Sequence, residues 1–159
     1  MKLKTIVTEW YQDYKLPSMF IATNECDWKC EKDCGQRVCQ NSALAKTKTS
    51  EVDDDEIIKM YLDNPITTAI IFGGLEPFKQ FEELHTFIKK LREEYHCSDT
   101  IVIYTGYNKT EILSQVETLK PYKNIVIKFS RYVPGQEKHY DDVLGVDLAS
   151  DNQYAEVIS

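Results

Sequence analysis

The sequence predicts an α/β fold built on a parallel sheet, and three observations carry that prediction. Short apolar, β-branched runs alternate with segments whose apolar residues recur at helical spacing, in about four strand–helix units. Parallel neighbours need such crossovers, and right-handed helical crossovers pack back onto the sheet. The chain has 159 residues, 42% of them hydrophobic and 28% charged. That suffices for one domain, 1–159, with a real core, yet falls far below the roughly 250 residues of a complete eight-unit barrel. The sheet is therefore expected to be open or a partial barrel. Ligands collect at the carboxyl ends of the strands in either form.

Each element has its own signal. Lys4–Trp10 reads as the first strand, with Ile6 and Val7 inside it. Pro17 ends a connection, and Met19–Thr23 follows as a short buried strand that runs into a cysteine-rich loop. Ser50 with Asp53 three residues on makes a capping-box pattern for a helix through Ile57, Ile58, Tyr61 and Leu62. Ile66–Phe72 reads as a buried strand that Gly73–Gly74 closes. Phe81, Leu84, Phe87, Ile88, Leu91 and Tyr95 mark a helix over Phe78–His96. Thr100–Tyr104 is a strand ending before Gly106. Ile112, Leu113, Val116 and Leu119 mark a helix stopped by Pro121, and Asn124–Phe129 is a further strand. Beyond it, Pro134–Gly135 is a turn and Val143–Leu148 a short last strand. The cysteine loop follows one strand and the glycine turn follows the next, so both belong on one rim.

Charge and hydropathy exclude several classes. Nineteen Lys and Arg stand against 26 Asp and Glu, for a net charge of −7. No basic stripe is present, so nucleic acid and anionic membranes are poor main partners. The longest apolar stretch is Ala69–Phe72, far too short to span a bilayer. Glu9 comes too early for a secretory core segment, so a cytoplasmic location is expected. Thiols stay reduced there.

The cysteines then carry the chemistry. Cys26, Cys30, Cys34 and Cys39 are crowded into the loop 24–41, while Cys97 stands alone and reads as structural. Clustered thiols in a reducing compartment bind metal or do redox chemistry. Glu31, Lys32, Asp33, Gln36 and Arg37 make the loop too polar for buried structural thiols. Thiolates suit zinc and iron–sulfur clusters. The gaps are three, three and four residues, and His85, His96 and His139 lie far away, so the spacing does not favour zinc. Ferredoxin-like runs use tighter gaps. Cys26 and Cys30, separated by three residues with Trp28 among them, fit a four-iron cluster held by three cysteines and open at one iron. At the second motif, Gly73 and Gly74 let the backbone approach a ligand, and Glu76 offers an acceptor for an ammonium group. No phosphate-loop Lys follows.

With these residues in view, the chain resembles the radical S-adenosylmethionine family. That family carries a Cys-x3-Cys-x2-Cys motif and a Gly-Gly-Glu-Pro turn, and Gly73-Gly74-Leu75-Glu76-Pro77 looks like the turn with one residue inserted. A closer resemblance is to the small activating proteins of anaerobic ribonucleoside-triphosphate reductase. They share Tyr104-Thr105-Gly106-Tyr107 and a Ser-Asn-Gln segment, matched by Ser150-Asp151-Asn152-Gln153. The resemblance implies an abbreviated parallel-sheet partial (β/α) barrel. It implies a [4Fe-4S] cluster on Cys26, Cys30 and Cys39, with Cys34 as the alternative third ligand. Cys39 is favoured because Asn41 follows it by two, as in those proteins, which makes 31–38 an insertion. Asp33 stands where the family's third cysteine would be. It further implies an S-adenosyl-L-methionine site at Trp28, Gly73, Gly74, Glu76, Pro77, Tyr104 and Thr105. The implied activity is reductive cleavage of that cofactor to place a glycyl radical on a larger partner enzyme. An electron donor such as flavodoxin is implied too. A closed-cluster electron carrier and a zinc-stabilised module are the competing readings. Lys128, inside an apolar strand, reads as a snorkelling edge lysine or as a group facing the cofactor carboxylate.

Overall fold

Alternating side chains along four strands decide how this chain is layered. The computed structural model describes residues 1–159. The strands β1 (Lys2–Trp10), β2 (Ser18–Thr23), β3 (Ser50–Glu51), β4 (Ala69–Gly73), β5 (Thr100–Tyr104) and β6 (Ile125–Phe129) belong to one sheet. A hairpin of β7 (His139–Asp141) and β8 (Val146–Leu148) stands apart, and β9 (Tyr154–Val157) completes the seven-stranded sheet. The spatial order is β3-β1-β2-β4-β5-β6-β9. The four central strands β2, β4, β5 and β6 run parallel. Strands β1 and β9 pair antiparallel at the two flanks, so the sheet is mixed.

Two of the helices, α1 (Lys29–Cys34) inside the cysteine loop and α2 (Ser42–Ala45) just after it, bury no residue. The other three are α3 (Asp54–Leu62), α4 (Phe81–Glu93) and α5 (Leu113–Leu119). Their apolar faces share one core with Met19, Ile21, Ile70, Phe72, Ile101, Ile103, Ile125 and Ile127. The intervening residues Phe20, Ile71, Val102 and Val126 point to the opposite face. There they meet Trp10, Tyr14, Leu144 and Leu148 instead of a helix. Both faces of the parallel strands are thus buried, which is why these strands read as continuous apolar runs.

Several sequence expectations shift. Ser50 is not the helix cap. It pairs with Leu3 in β3, and Asp53 caps α3 by accepting from the Asp55 amide. The strand expected from Ile66 starts at Ala69, because Asn64 accepts from the Ile66 amide and turns the chain outward. The long helix over Phe78–His96 splits into a 3₁₀ turn, Pro77–Gln80, followed by α4. The final strand is β9, beyond the expected Val143–Leu148 segment, of which only Val146–Leu148 is extended. No helix is long and apolar enough to cross a membrane.

Candidate metal centre

The carboxyl ends of β2, β4, β5 and β6 open into one cavity of about 710 Å³. Its lining includes Cys26, Cys30, Cys39, Gly73, Gly74, Glu76, Tyr104 and Thr105. The expected common rim is therefore present, and hydrogen bonds knit it together. The Glu76 amide donates to the Glu25 carbonyl at 2.7 Å, and Thr23 Oγ1 donates to the Gly73 carbonyl at 3.0 Å. The glycine turn is thus tied by one backbone bond to the cysteine loop and by one side-chain bond to the end of β2.

Residues 31–38 do not carry Cys39 away. The Cys39 amide donates to Glu31 Oε1 at 3.1 Å, folding the strand of chain after α1 back on its first turn. Cys39 accordingly lines the same cavity as Cys26 and Cys30. Cys34 goes elsewhere. Its sulfur faces the carbonyls of Glu31 and Gln36, at 3.8 and 3.5 Å, and it does not line the cavity. Gly106 sits against Cys30, since a Cβ built there would stand 3.2 Å from Cys30 Sγ. That cradle keeps room beside the sulfur.

Burial raises the thiol pKa values of Cys26, to about 11, and of Cys30. Lys128 and Arg131 oppose the shift at Cys30. These thiols must lose protons to bind metal. No three His, Cys, Asp or Glu side chains converge on one point, as a mononuclear ion requires. A four-iron cluster asks for less convergence, because its thiolates take separate irons. Three soft donors around one cavity, with a glycine beside the middle one, fit such a cluster.

Glu76 is spent differently from the expectation. Its buried carboxylate accepts from Phe78 N (3.1 Å), Thr105 Oγ1 (2.7 Å) and Gly106 N (2.8 Å). Burial pushes its pKa up to about 7 against these three donors. It is a strut between the β4 turn and the end of β5, with little capacity left for a ligand ammonium. Gly74 holds φ +78°, and a Cβ there would come within 2.9 Å of Ala22 and Leu44. A side chain at Gly74 would therefore damage the fold as well as any ligand contact.

Trp28 and Pro77 do not line the cavity. Trp28 takes the left-handed conformation that starts α1, and its amide donates to Cys26 Sγ at 3.3 Å. Pro77 is the first residue of the 3₁₀ turn. Tyr104 bonds the Asp13 carbonyl at 2.6 Å, which raises a second wall of the cavity from the β1–β2 connection.

Sequence reasoning missed the ties around the loop. Arg131 Nη2 donates to both Glu111 oxygens, at 2.7 and 2.8 Å, and Lys29 bonds the same carboxylate. Arg131 Nε lies 2.8 Å from Asp33 Oδ2, but its N–H is not aimed there, so that contact is one of charge. Asp33, at the position of the family's third cysteine, thus faces an arginine. The Ser150–Gln153 segment also acquires a task. Asn152 Nδ2 donates to the Arg131 carbonyl and Gln153 Nε2 to the Ser130 carbonyl, at 2.9 and 3.3 Å. Lys128 is 6% exposed and lines the cavity from a strand paired on both sides, so the edge-lysine reading is wrong.

No curated protein and no solved structure matches the chain significantly. A family model does match, described as a 4Fe-4S single cluster domain, over residues 18–146. That span runs from the first residue of β2 into β8 and contains the cysteine loop and all four parallel strands. With the thiols, the cavity and this match pointing to the same chemistry, the chain belongs to the 4Fe-4S single cluster domain family and is an iron–sulfur protein.

Proposed function

We propose that this iron–sulfur protein is a radical S-adenosylmethionine enzyme that activates a larger glycyl-radical enzyme, anaerobic ribonucleoside-triphosphate reductase being the first candidate. The observation that carries this reading is the division of the cysteines. Cys26, Cys30 and Cys39 line the cavity and Cys34 does not. Three protein ligands leave one iron free for a small molecule, whereas four would close the cluster.

In this reading Cys26, Cys30 and Cys39 hold the cluster. When bound, the cluster supplies the low-potential electron for cleaving the cofactor's sulfonium. The chain's own residues prepare the space. Gly73 and Gly74 keep the backbone bare where the cofactor's amino-acid end would lie. Phe20, Tyr104 and Leu148 line the same cavity and limit water. Glu76 and Thr105 lock the ends of β4 and β5 together through their 2.7 Å hydrogen bond. Trp28 and Pro77 act on the site through the turns they begin. The winding of the sheet supports the partial-barrel expectation. Successive parallel strands step in one direction and α3, α4 and α5 share one face, as in a (β/α) barrel, whereas a doubly wound sheet covers both faces with helices.

The deciding experiment is an anaerobic electron paramagnetic resonance spectrum of the reconstituted, reduced protein, with and without S-adenosyl-L-methionine. A reduced four-iron signal that changes on addition of the cofactor is the expected result. A signal indifferent to the cofactor would favour a closed-cluster electron carrier instead.

A further inference from the structure

Lys128 is a buried cation in the middle of a strand. It stands opposite Tyr104 of β5 and Ala155 of β9. Strand alternation gives Ile127 and Phe129 to the helical core, so Lys128 shares the cavity face with Val126. An ammonium has three N–H donors. Lys128 Nζ uses one, on the Ser130 carbonyl at 2.7 Å, and it joins no ion pair. The Tyr104 ring centroid lies 6.0 Å from Nζ.

The fold goes to some trouble to keep it there. Ser130 takes φ +77°, a strained value for a residue with a Cβ, and Gln153 Nε2 donates to the same carbonyl at 3.3 Å. A lysine free to do so would run its flexible stem out to water. A buried charge without a counter-ion is costly, and no carboxylate forms an ion pair with this one. Cys30 and Glu76 line the same cavity as Lys128, and they are the charged neighbours that act on it. Burial draws its pKa down to about 8, and those two oppose the fall. In return Lys128 favours the thiolate of Cys30.

We propose that Lys128 is the buried counter-charge of the iron–sulfur cluster and raises its reduction potential. The proposal rests on Cys30 being a cluster ligand. Reduction adds one electron to the cluster and makes or breaks no bond, so negative charge beside Cys30 grows by one unit. A fixed cation in a dry site favours that state. Arg131 also acts on Cys30, but Glu111 and Asp33 already meet its charge.

The test is a redox titration of the whole protein with dithionite, read by the paramagnetic signal of the reduced cluster, with and without S-adenosyl-L-methionine. Wild type is compared with Lys128→Met, which keeps length and loses charge, and Lys128→Arg, which keeps charge. The expected result is a lower midpoint for Lys128→Met at full iron content, by at least tenfold in the reduction equilibrium, about 59 mV. Lys128→Arg should stay near wild type. An unmoved midpoint in iron-replete Lys128→Met overturns the proposal. A shift seen only with the cofactor present also overturns it, because Lys128 would then answer a ligand carboxylate. Equal loss of iron in both variants would make Lys128 a folding element and overturn it too. Wild-type protein that takes up no iron would sink the metal centre first and this proposal with it, a failure that iron analysis tells apart from the others.

Discussion

Cys34 and Cys39 are five residues apart and differ only in where the backbone sends them. Cys39 is turned back by the bond from its amide to Glu31, while Cys34 ends α1 with its sulfur on local carbonyls. Cys34→Ala is therefore expected to retain its iron. Cys39→Ala should lose most of it, as should Cys26→Ala and Cys30→Ala. Iron and sulfide analysis after anaerobic reconstitution checks this, and the reverse pattern at 34 and 39 would reassign the third ligand. The same scale explains Glu76. Its type suggested an acceptor for a ligand, yet three protein donors converge on it. A residue type announces capacity to bond, and the neighbours decide how that capacity is used.

Among the elements, α1 is short and packs nothing into the core, so side-chain ties must hold it in place. Glu111 provides the main tie by joining Lys29 of α1 to Arg131 beyond β6. Arg131 beside it, with Lys29, holds the Glu111 carboxyl down to about 2. The sign of the pH effect follows. A depressed carboxyl contributes its stabilisation above its ordinary pKa of 4.5 and loses it as pH falls toward 2. Thermal midpoints of metal-free wild type should drop through that window more steeply than those of Glu111→Gln. At neutral pH the variant should be less stable by about 1 kcal/mol, the range of a partly exposed charged network. Parallel acid limbs for the two proteins would show that this tie carries no stability.

For the whole molecule, stability and metal binding reside in different regions. The buried apolar residues belong to the sheet, to α3–α5 and to the segments covering its other face, while α1 and α2 contribute none. Removing the metal should thus loosen the loop and spare the sheet. Hydrogen exchange compared between iron-loaded and chelated protein is expected to show protection lost across residues 25–49. Protection should persist in β2, β4, β5 and β6. Equal loss in the central strands would mean that the cluster holds the fold together, as zinc does in small metal-dependent domains.

Much of this was legible in the chain itself. The four parallel strands, the helices between them and the shared rim of cysteines and glycines follow from short-range periodicity and chain order, which sequence records directly. The cysteine loop announced metal because thiols interleaved with charges have no place in a core. Other features depended on distant chain segments meeting. Strand β9 is polar enough on its own to pass for a tail, and its pairing with β6 makes it a strand. Lys128 read as an edge residue because nothing local shows that β9 lies beyond it. Gly106 against Cys30, Glu76 beneath Thr105, and Ser150–Gln153 holding the β6 loop are contacts between residues far apart in the chain. The α/β class and a thiol-based metal site could be read from the chain because periodicity and cysteine crowding are local properties, and the family match then makes that site iron–sulfur. Which three cysteines line the cavity, and which cation lies with them, is set by sheet pairing and loop closure, which bring distant segments together.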